Sequence, residues 1–130
     1  MTDIKWIECF NSKFDEFVKD LIQLYPDDKD FKLLKNSFSL LKMADMKKPY
    51  ALFALYSADY EEFVMKRDEN FFLNHNFKDI VATETNFTDE LMMKLKSYWM
   101  TISEENKEII WKYLTLFYQI KKKLSGGGGN

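Results

Sequence analysis

The chain has 130 residues, enough for one domain, and 46% of them are hydrophobic and 17% aromatic, which is ample material for a packed core. With 19 basic and 21 acidic residues the formal charge is −2, and Arg67 is the only arginine, which excludes a strongly cationic reader of nucleic acid that relies on arginine's planar fork. One cysteine (Cys9) and one histidine (His75) exclude an internal disulfide and any multi-His or Cys/His zinc centre.

The first predicted helix runs from about Asp3 to Tyr25. Ile4, Ile7, Phe10, Phe14, Phe17, Val18, Leu21 and Leu24 recur every three or four residues, opposite Lys5, Glu8, Lys13, Asp15, Glu16, Lys19 and Asp20. Pro26 stops it, and Asp27 and Asp28 suit the N-terminus of the next helix, because carboxylates favour the positive end of the helix dipole. That second helix spans about Asp28 to Met46, with Phe31, Leu34, Phe38 and Leu41 as one stripe, widened by Leu33 and Leu40. Pro49 then suits a first helical turn, so a third segment runs from Pro49 to about Arg67 and carries Tyr50, Phe53, Tyr56, Tyr60 and Phe63. Ser57-Ala58-Asp59 either interrupts it, with Asp59 and Glu62 at capping-box spacing, or lies within one continuous helix.

Residues 68–87 alternate asparagines with rings and lack helical periodicity, so a loop with a short helical turn is expected. Thr88-Asp89-Glu90 starts another helix through Leu91, Leu95, Tyr98, Trp99 and Ile102. Ser103 is the expected N-cap of the last one, which carries Ile109, Ile110, Tyr113, Leu114, Phe117, Ile120 and Leu124. Lys121, Lys122 and Lys123 complement its C-terminal dipole, and Ser125 with Gly126 to Gly129 form a flexible tail. The expectation is a single-domain, all-α bundle of about five helices over residues 1–124, with a Gly-rich tail over 125–130.

No catalytic or cofactor motif emerges. His75 between two asparagines reads as a surface-loop residue, and a small hydrolase built on it needs a cleft that the pattern does not supply. The stretch 68–79 fails as a calcium loop, since Phe72 and Leu73 stand where a ligand and a glycine belong. The acid pairs Asp15-Glu16, Asp27-Asp28, Glu61-Glu62 and Glu104-Glu105 read as solvated charges, because adjacent helical residues diverge. Cys9 reads as packing material, and Asn86-Phe87-Thr88 as a silent glycosylation sequon. Without a secretory leader pattern or a membrane-length apolar run, an intracellular, reducing location is expected.

The rings are the strongest functional signal: either all of them fill the core, or they exceed what one small core encloses and the surplus marks protein contacts. Phe71, Phe72, His75, Phe77, Trp99 and Trp111 are the expected partner-binding residues. The expected role is a non-enzymatic protein–protein interaction module with no cofactor, self-association included. The alternative is nucleic-acid association through Lys121, Lys122 and Lys123.

Lys66-Arg67-Asp68-Glu69-Asn70-Phe71-Phe72-Leu73, followed by Ser97-Tyr98-Trp99, Ile102-Ser103-Glu104-Glu105-Asn106-Lys107 and Ile110-Trp111-Lys112-Tyr113-Leu114, resembles short helical proteins of large nucleocytoplasmic DNA viruses of the mimivirus and algal-virus kind. The likeness covers most of the chain from the first helix to Leu124. It implies an all-α fold and a viral accessory or virion-associated protein, located in host cytoplasm or virion, and it carries no catalytic signature. The frequent Lys, Asn, Phe and Ile, with sparse Arg, Gly, Ala and Pro, agree with a source of AT-rich coding sequence.

Overall fold

The amphipathic stripe of the first segment becomes α1 (Thr2–Leu24), whose Ile7, Phe10, Phe14, Phe17, Val18 and Leu21 are all buried. This assignment comes from a computed structural model, which describes residues 2–74 and 87–127. Tyr25 N–H still reaches the Leu21 carbonyl at 2.9 Å, and Pro26 then turns the chain. Asp28 caps α2 (Lys29–Ala44), its carboxylate accepting from Asp30 N–H at 2.9 Å, as its position before the apolar stripe predicts. Phe31, Leu34 and Phe38 face inward from α2.

α3 (Lys48–Tyr56) begins with Pro49 in its first turn. The segment then breaks at Ser57 into a 3₁₀ turn (Ala58–Tyr60) and α4 (Glu61–Met65). The break has a buried polar partner: the Ser57 carbonyl accepts from the Tyr118 hydroxyl at 2.7 Å and from Tyr60 N–H at 3.0 Å. The capping box expected from Asp59 and Glu62 does not form. Tyr60 is the N-cap residue without a side-chain cap, and Glu62 instead pairs with Lys66 at 2.8 Å, one turn on. α4 ends in a Schellman motif, with Asp68 N–H on the Phe63 carbonyl, Arg67 N–H on that of Val64, and Arg67 at φ 51°.

Within the stretch expected to be a loop, α5 (Asn70–Asn74) makes a short helix, started by Asp68 Oδ1 accepting from Asn70 N–H at 3.0 Å. α6 (Phe87–Tyr98) follows the undescribed segment 75–86, and α7 (Glu104–Gly127) is the last element among the described residues. Ser103 caps α7 as expected, its Oγ accepting from Asn106 N–H at 3.1 Å. The bundle thus has seven α-helices and a 3₁₀ turn among the described residues, not five helices, because the third segment breaks and α5 forms. α7 runs on to Gly127, so Lys121, Lys122 and Lys123 precede its last turn, and residues 128–130 lie outside the described ones.

α1 lies between α2 and α7, which supply its main packing; α3 and α6 close the α2 side, and α4 lies on α7. The centre is aromatic. Phe14 stacks on Phe38 at 4.5 Å between centroids, Phe117 contacts Phe10, Phe14, Phe17 and Phe53, and Phe72 stacks on Trp99 at 4.3 Å. Among the described residues no helix is long and apolar enough to cross a membrane.

Candidate functional site

Four of the six expected partner-binding residues belong to the core. Phe72 is 1% exposed and Trp99 fully buried, and Phe71 and Trp111 are buried with them. The physical reason is mutual: Trp111 lies 5.2 Å from Trp99 and 5.6 Å from Phe72, and Phe71 packs edge-on against Phe72 at 4.9 Å. The rings that looked surplus fill the corner where α5, α6 and α7 meet, and burial withdraws them from a partner. His75 and Phe77 lie outside the described residues.

The polar tips of these rings are also engaged. Glu69 Oε1 accepts from Trp99 Nε1 at 2.9 Å and from Lys107 Nζ at 2.6 Å. Those bonds from Lys107 and Trp99 hold the Glu69 carboxyl below its ordinary range, and the same carboxylate raises the Lys107 ammonium. Asp28 Oδ2 accepts from the Tyr98 hydroxyl at 2.5 Å and lies 2.8 Å from Lys94 Nζ, which also meets Asp30 at 2.8 Å. Desolvation pushes the Asp28 carboxyl up, but the bonds from Lys94, Tyr98 and the Asp30 backbone outweigh it and lower it overall. The Tyr60 hydroxyl donates to buried Asp89 at 2.5 Å. Burial and then that carboxylate push the Tyr60 hydroxyl well above its usual range.

These arrangements pin elements together. Asp28 and Glu69 are shifted downward, away from the near-neutral range a general acid uses. The depression beside the Tyr25–Tyr98 stack, about 620 Å³, is bordered by Asp28 and Asp30, and Lys94 already occupies the space between those carboxylates. Among the described residues no group of three or more His, Cys, Asp or Glu is placed to hold a metal ion. Cys9 is half-buried against the core.

Lys121, Lys122 and Lys123 share the end of α7 and are unequally available. Lys121 Nζ is 3.2 Å from Glu61 and sits over the Tyr118 ring, and Lys123 sits over Trp6. Lys122 and Lys123 are exposed.

What stands open is the outer face of α2. Leu33, Leu40 and Met43 are 61%, 69% and 81% exposed, on the side away from Phe31, Leu34 and Phe38. Leu33 and Leu40 are seven residues apart and Met43 three further on, so they fall on one side of the helix with Asn36 and Ser37 between them. Reading Leu33 and Leu40 as a widening of the inner stripe missed this second row; their seven-residue spacing was the available signal. Family models, curated proteins and solved structures were all compared with the chain, and none matches.

Proposed function

We propose that the protein is a non-enzymatic helical interaction module that binds a protein partner through the outer face of α2. The carrying observation is the exposed row Leu33, Leu40 and Met43 on a helix whose opposite side is anchored in the core. Scattered apolar side chains are ordinary on a protein surface, but a row at helical spacing presents a seam that a second helix can cover. The resemblance to short helical viral proteins fits an accessory role of this kind. The lone Cys9 fits a reducing, intracellular setting.

The test compares the tagged wild type with the double variant Leu33→Glu/Leu40→Glu in affinity purification from the native source. Glutamate and leucine have similar helix propensities, so an exposed exchange leaves the fold intact, as far-UV circular dichroism checks. The expected result is a stoichiometric protein partner that wild type retains at about 0.5 M salt, where charge contacts are screened, and that the variant loses. Equal recovery by both proteins places the contact surface elsewhere and overturns the reading.

A further inference from the structure

We draw no further inference here: the strongest candidate, the exposed row of Leu33, Leu40 and Met43 on the outer face of α2, belongs to the site already described, and nothing in the structure shows what covers it.

Discussion

Trp99 shows how a single residue serves the core and a polar contact at once. Its ring is enclosed by Phe72 and Trp111, and its indole N–H donates to Glu69. Tyr118 follows the same logic, since its buried hydroxyl finds the Ser57 carbonyl. Such rings are expensive to remove because they leave both a void and an orphaned partner. Phe72→Ala is expected to lose about 3–5 kcal/mol, measured by denaturant unfolding, since a fully buried ring leaves a cavity its rigid neighbours cannot fill. A loss below about 1 kcal/mol would mean that the corner of α5, α6 and α7 is loosely packed. Arg67 is the opposite case. It occupies the left-handed C′ position of the Schellman motif, where a Cβ is unfavourable by about 1 kcal/mol, and its ion pair with Glu108 lies at the surface. Arg67→Gly is therefore expected to raise the melting temperature slightly, and a fall would show that the Glu108 contact outweighs backbone strain.

At the scale of elements, two ionic joints hold helices that are distant in sequence. Asp28 with Lys94 and Tyr98 ties the start of α2 to α6, and Glu69 with Lys107 and Trp99 ties the approach to α5 to α7. Both carboxyls have folded-state pKa values below their unfolded ones, so the folded state holds fewer protons than the unfolded state near pH 4. The stability they confer is present above the ordinary carboxylate range and is lost as pH falls through the folded values. Asp28→Asn and Glu69→Gln should each flatten the acid limb of a stability–pH profile, and an unchanged slope would show that the joint confers nothing. How far these elements could be read beforehand depended on length. α1 has enough turns for its stripe to declare itself, and the Asp28 and Ser103 caps follow from a polar side chain just ahead of an apolar run. α5 has five residues, too few to show a period. The fate of Phe71 and Phe72 is set by Trp99 and Trp111, which arrive from α6's end and from α7. On α2 an inner and an outer apolar row share one helix, and composition alone merges them into a single broad stripe.

For the molecule as a whole, the question is whether the aromatic interior is one core or two. One group of rings joins α1, α2, α3 and α7 through Phe10, Phe14, Phe38, Phe53 and Phe117; the other joins α5 to α7 through Phe72, Trp99 and Trp111. α7 runs through both, and the buried apolar residues form one contiguous cluster. A chain of this size with a continuous core should unfold in a single cooperative step. Tryptophan fluorescence reports chiefly on the second group, where Trp99 and Trp111 are buried, while far-UV circular dichroism reports on all the helices. Thermal or denaturant transitions followed by the two signals are therefore expected to coincide. Separation of the fluorescence transition to lower denaturant would show that the α5–α6 corner opens as its own unit while α1, α2 and the rest of α7 persist. Leu33→Glu/Leu40→Glu should leave both transitions where they are, because that row contributes nothing to either group of rings. A shift in both would mean that the outer face of α2 supports the fold and is not free for a partner.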